Sequence, residues 1–196
     1  MIERSEDCIM TLETAKQIAA KHITQEHLIK HCYAVSGAMQ AMAGHFGEDA
    51  EEWAAIGYLH DVDFEKYPEE HCAHVEELLA PEGIDEVTIR AIISHGYGLT
   101  CDVKPETNME KSLYTVDELT GIIMATSLMR PTGITDLTAK SVRKKFKDKH
   151  FAAKCDRDVI QNGCEMLGMD LSDVITLCIQ GMQLYTEELG LGGNPA

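Results

Sequence analysis

The chain has 196 residues with a hydrophobic share of 44%, enough apolar material for one buried core and too much for a wholly disordered polymer. Its formal net charge of −16 repels phosphate backbones at long range, so duplex nucleic acid is not an expected partner. No apolar run is long enough to cross a bilayer.

The first seven residues are acidic and carry none of the basic and apolar regions of a signal peptide, so the expectation is a cytoplasmic protein. The seven cysteines (Cys8, Cys32, Cys72, Cys101, Cys155, Cys164 and Cys178) are scattered, without a Cys-x-x-Cys. That pattern fits free thiols serving as small hydrophobes, not a disulfide framework or a cysteine-built zinc knot, and it assigns them no catalytic role.

Apolar residues recur every three or four positions almost throughout, which predicts an all-α fold of one domain. A short helix is expected over 11–21. A second starts at Thr24 as N-cap and runs towards Phe46, with Leu28, Val35, Met39, Met42 and Phe46 on one stripe and His31 among them. A third begins near Glu48, carries Trp53, Ile56 and Leu59, and delivers His60-Asp61 just before Asp63, Phe64 and Pro68.

Pro68 suits the first position of a fourth helix, and Glu69 and Glu70 suit its positive end; His71, Val75, Leu78 and Leu79 then line one face up to Pro81-Glu82-Gly83. A fifth helix leads through Ile89, Ile92 and Ile93 to His95, and Gly96-Tyr97-Gly98 ends it. Thr107-Asn108-Met109-Glu110 matches a capping box and opens a long helix closed by Arg130-Pro131, with Asp117 on or beside its inner face. Three more helices are expected over 137–147, 156–168 and 171–189, packing on a core formed by about 24–131, and the glycine-rich tail from Gly190 is expected to fray.

His31, His60, Asp61, His71, His95 and Asp117 thus fall on inward stripes or helix ends of successive elements. Singly, each is explained by an ordinary hydrogen bond in the core. Together they need many separate partners, because an isolated buried carboxylate costs several kcal/mol at least. One or two divalent cations satisfy all of them, and mixed imidazole and carboxylate ligation suits Mn, Fe, Zn, Co, Ni or Mg.

The order His, His-Asp, Asp over a helical domain resembles the HD superfamily of metal-dependent phosphohydrolases. The likeness covers about 28–131, through Ile29-Lys30-His31-Cys32, Leu59-His60-Asp61-Val62-Asp63, Ile93-Ser94-His95-Gly96 and Tyr114-Thr115-Val116-Asp117-Glu118-Leu119. More narrowly, Leu128-Met129-Arg130-Pro131 and the basic stretch that follows are similar to small stand-alone bacterial members of unassigned substrate.

The resemblance implies His31, His60, Asp61 and Asp117 as ligands of one ion. In two-metal members Asp61 is a bridge, and His71 and His95 join the second ion; His74 competes for the place of His71, which spacing favours. The sequence departs from the family pattern in three places: Val62-Asp63 stands where Ile-Gly often follows His-Asp, Phe64 stands where many members have lysine, and the glycine-tyrosine-proline signature of the cyclic-di-GMP phosphodiesterases is missing.

The expected function is hydrolysis of a phosphomonoester or phosphodiester, nucleotides included. Water is activated by the metal and oriented by Asp61, and His95, His74 and Asp63 are the candidate general acids. Two rivals stand beside it: a di-iron oxygenase on the same fold, and a nucleotide-binding signalling module without turnover.

Seven of the 17 Lys and Arg residues lie between Lys140 and Lys154. They form either a solvated face, open to a contact in a homo-oligomer, or a rim that draws in phosphorylated substrate through Arg143 and Lys144. Arg130, directly after the Asp117 helix, is the favoured phosphate contact, since a guanidinium suits bidentate phosphate recognition.

Overall fold

The structure is a computed structural model that describes residues 10–193, so Cys8 and the acidic N-terminus lie outside the described residues. It is all-α, with ten α-helices and no strand among the described residues. They are α1 Leu12–Ala19, α2 Glu26–Phe46, α3 Ala50–Leu59, α4 Val75–Leu79, α5 Glu86–Ser94, α6 Asn108–Leu128, α7 Ala139–Phe146, α8 Arg157–Leu167, α9 Leu171–Gln183 and α10 Thr186–Leu189. Among the described residues no helix is long and apolar enough to cross a membrane.

Helix α3 is the axis of the fold. Every residue from Trp53 to Leu59 is buried, because α1, α2 and α5 surround it. The Ser36 hydroxyl donates to the Ala54 carbonyl at 2.8 Å and ties α2 to α3. Helix α6 also packs on α2 and is backed by α8, while α9 contacts α2 as well.

At that last contact the two backbones touch through Gly37 and Gly181. A Cβ on Gly181 would lie 1.9 Å from the Gly37 carbonyl oxygen, and one on Gly37 would lie 2.5 Å from that of Gly181. The capping box at Thr107 and Glu110 is present in full, and Glu110 is also paired with Arg90 across from α5.

Four expectations are corrected. Thr24 does not cap α2: Gln25 occupies that position without a side-chain cap bond, and the Thr24 hydroxyl and amide both donate to Glu65. The fourth helix does not run on from Pro68. Pro68–Glu70 forms a single 3-10 turn, Cys72 turns the chain with a left-handed φ of 71°, and α4 begins only at Val75. The tail is pinned as far as the structure describes it, with Leu191 1% exposed and its carbonyl accepting the Ile134 amide at 2.9 Å. The last expected helix is also divided, α9 ending at Gln183 and α10 starting at Thr186.

The contact of α9 with α2 sets a test of the packing. Gly181→Ala should lower stability by about 1–3 kcal/mol through overpacking against α2. Gly44→Ala, on a helical position with nothing within 4 Å of the new methyl, should raise it by about 0.5–1 kcal/mol. Urea melts followed by circular dichroism measure both, and equal effects at the two positions would discount the contact.

Candidate metal centre

Six polar side chains converge where α2, α3, α5, α6 and the turn after Pro68–Glu70 meet. Four helices deliver theirs by simple means. His31 lies three residues after Leu28 on the buried stripe of α2, and Asp117 follows buried Val116 on α6. His60 is the C-cap of α3, so the helix that fills the core ends with an imidazole inside it, and Asp61 comes next. His95 is the C-cap of α5 in the same manner.

The ring orientations follow from backbone bonding. His60 Nδ1 donates to the Gly57 carbonyl at 2.8 Å, and His95 Nδ1 donates to the Ile92 carbonyl, each three residues back along its own helix. A carbonyl oxygen only accepts, so the proton of each neutral ring sits on Nδ1 and the Nε2 lone pair points into the cluster. His71 is held by a carboxylate instead: its Nδ1 lies 2.8 Å from Asp63 Oδ1, and Asp63 Oδ2 also accepts the His74 amide at 3.2 Å.

Asp61 is the junction. Its Oδ2 is 3.5 Å from His31 Nε2, while its Oδ1 is 3.4 Å from His60 Nε2, 3.3 Å from His71 Nε2 and 3.8 Å from His95 Nε2. On one side Asp117 Oδ1 completes a group with His31 Nε2 at 2.9 Å and His60 Nε2 at 3.4 Å. On the other, His71 Nε2 faces His95 Nε2 at 2.9 Å, and the thiol of Cys72 lies 3.9 Å from the latter.

Two neutral imidazoles with protons fixed on Nδ1 would set lone pair against lone pair across that gap. Only a proton or a cation between them makes the approach tolerable. The buried His, Asp and Cys groups are therefore fit to hold a metal ion.

In the metal-free chain protons fill the role. Burial pulls the His31 pKa down, but the hydrogen bond to Asp117 and the charges of Asp117 and Asp61 outweigh it and hold it at about 8. Burial likewise opposes protonation of His71, which Asp63 nevertheless raises to about 11, and of His95, which the Cys72 and Asp117 charges raise to about 9. Burial alone would push the Cys72 thiol up, but His95 and His71 bring it down to about 6. Burial also works against the Asp117 carboxylate, yet its bonds to His31 and His60 hold it well below the usual range.

The cluster opens into a cavity of ≈ 530 Å³. Asp61, His31, His71, His95 and Asp117 form its floor, and Leu28, Phe64 and Leu99 give it apolar walls. Glu118 lines it as well, its pKa raised to about 7 by burial and by the charge of Asp117.

The remaining expected residues lie elsewhere. Asp63 is fully buried behind His71 and away from the cavity lining. His74 stacks on Tyr67 with ring centroids 3.8 Å apart and points at Glu70 and Glu77, outside the cluster. Arg130 pairs with Asp136 at 2.7 Å.

Arg143 bonds the Ser172 hydroxyl, and neither it nor Lys144 lines the cavity. Of the basic run only Lys154 does. The sequence reading missed Cys72, Glu118 and Lys154. Adjacency to His71 and Asp117 was a signal for the first two, and nothing in the charge pattern singled out the third.

Comparison of the chain with protein-family models, with curated proteins and with solved structures found no match in any of the three.

The protonation pattern sets a pH test. Unfolded imidazoles titrate near 6.5. The stability conferred by the raised histidines is therefore complete below about pH 6.5, and it is lost as pH rises through about 8 for His31 and about 9 for His95. Each group contributes about 1.4 kcal/mol per pH unit within its own window. Metal-stripped protein should thus melt at falling temperatures from pH 6.5 to 9. The added stabilisation by a divalent ion should grow over the same range, because imidazoles bind it deprotonated. Parallel melting curves with chelator and with metal would mean that no ion replaces these protons.

Proposed function

We propose that the chain is a metal-dependent phosphohydrolase related to the HD superfamily, acting on a phosphate ester. The observation that carries this reading is the placement of Asp61 between two groups of imidazoles at the floor of an open cavity. His31, His60, Asp61 and Asp117 would hold one ion, and His71, His95 and Asp61 a second. Divalent ions held there supply a Lewis acid that activates water and offsets charge growing on phosphoryl oxygens.

The chain's own residues supply the rest. The imidazoles of His60 and His95 are fixed by their helix carbonyls, so the floor is set in place before substrate arrives. Asp61 orients the attacking water, and Asp63 acts through the His71 ring. Lys154 offers the cavity a positive charge for a phosphoryl group. Leu28, Phe64 and Leu99 give the organic part of the ester, a nucleoside among the candidates, an apolar surface.

A panel of phosphorylated metabolites, run on metal-stripped protein with Mn, Mg, Co, Ni, Zn and Fe, tests the reading. Once a substrate responds, His60→Ala and Asp61→Ala should each reduce metal-dependent turnover at least about 100-fold. Asp63→Asn should reduce it by about 10–100-fold by freeing the His71 ring. Turnover at the parent rate in the first two variants would refute the site. Lys154→Glu should raise KM for the ester, while Arg143→Glu and Lys144→Glu leave it unchanged.

The same six-residue arrangement around one carboxylate supports a second reading, a di-iron oxygenase. Iron retained at two per chain with a mixed-valence spectrum, and no phosphate release across the panel, would select it.

A further inference from the structure

Cys72 departs from what a buried apolar cysteine requires. It follows His71 directly, is 3% exposed, and holds its backbone at φ 71°, a conformation that favours glycine. That turn carries its sulfur to the His71–His95 end of the cluster. The ligand atoms of His71, Cys72 and His95 all lie within 4.8 Å of one another, with Sγ 3.9 Å from His95 Nε2. The opposite wall makes room: Gly96 follows His95, and a Cβ there would fall 2.7 Å from the Cys72 sulfur.

The two imidazoles beside it have their Nδ1 protons committed, to Asp63 and to the Ile92 carbonyl, and turn their Nε2 lone pairs on each other at 2.9 Å. This pair calls for a cation independently of the cysteine. An ion bound to nitrogen at about 2.0–2.1 Å and to sulfur at about 2.3 Å fits a sulfur placed so close to the pair.

We propose that Cys72 is a thiolate ligand of the second metal ion, so that this site takes a borderline-soft ion such as zinc, ferrous iron or cobalt in preference to magnesium or manganese. The inference rests on the metal centre proposed above and makes its two halves chemically unequal. The His31, His60 and Asp117 half offers only nitrogen and oxygen, whereas the His71 and His95 half adds sulfur. Hard ions favour all-oxygen or mixed nitrogen and oxygen surroundings, and thiolates select softer ones.

Cobalt(II) is the probe, added to metal-stripped full-length protein, with uptake followed by equilibrium dialysis and ligation by absorption. The parent should show a near-ultraviolet thiolate-to-cobalt charge-transfer band that saturates once the site of His71, Cys72 and His95 is filled. Cys72→Ser should lose this band and bind zinc at least about tenfold more weakly at that site, with manganese affinity unchanged. Cys72→Gly, which suits the left-handed backbone and so retains the fold, should lose the band too. Cys101→Ser should keep it. Cobalt uptake without a thiolate band, or a band that survives in Cys72→Ser, would overturn the thiolate ligand while leaving the metal centre standing. Failure of the parent to take up cobalt at all would overturn both.

Discussion

The arrangement on which the rest of the structure depends is the meeting of the Asp61 carboxylate with four imidazole nitrogens, brought from three helices and one turn. None of the four lies more than 3.8 Å from an Asp61 oxygen. Asp117 adds a second carboxylate to the same small volume. As a source of stability such a network is poor, because desolvating charges costs as much as their mutual attraction returns. Its geometry makes sense as a vessel for positive charge. Protons fill it in the metal-free chain, and divalent ions are the occupants that the donor set suits.

Much of the fold follows from placing those groups. A helix that ends inside the core exposes its last carbonyls and its C-cap side chain to neighbours, and α3 and α5 both end on a histidine there. In each the ring bonds to the carbonyl three residues back, so the helix itself fixes the tautomer and aims Nε2 inward. The Ser36 bond to Ala54 and the Gly37–Gly181 contact hold α2 close to its neighbours, which brings the His31 ring within 4.9 Å of the His60 ring centroid. Helix packing, not loop conformation, therefore sets most of the geometry of the cluster, and rigid elements position side chains more accurately than loops do.

Periodicity made the helical architecture legible, along with the inward position of His31 and Asp117, since both sit on stripes of apolar residues. His60 and His95 were legible as helix ends followed by breaks in the pattern. The segment 68–74 was not. Pro68, Glu69 and Glu70 are good opening residues, and His71, Val75 and Leu78 keep a helical spacing, so local signals favoured one continuous helix. Tertiary demands prevailed: Asp63 takes both the His71 ring and the His74 amide, and Cys72 turns left-handed between them. The basic run was legible only as charge. Which of seven cations meets the cavity depends on how the chain leaves α7 and enters α8, and that selects Lys154. The partner of Arg130, Asp136, was not legible either, since it lies six residues further on in a turn whose shape the sequence pattern does not specify.

The electrostatics of the cavity bear on the order of events under the proposed function. The chain carries a formal charge of −16, and the cavity floor holds two carboxylates with Glu118 beside them. Without metal, an incoming phosphate ester meets this surface with Lys154 as the one lysine of the lining. Two divalent ions would add four positive charges at the cavity floor, far more than any rearrangement of side chains can supply. Ester affinity should therefore depend on metal loading, with the ions bound first and the ester second. Under that reading the acidic character of the protein would work in favour of selectivity: anions unable to reach a metal-loaded floor would be repelled by the rest of the surface, and those able to reach it would meet the ions held by the histidines and carboxylates there.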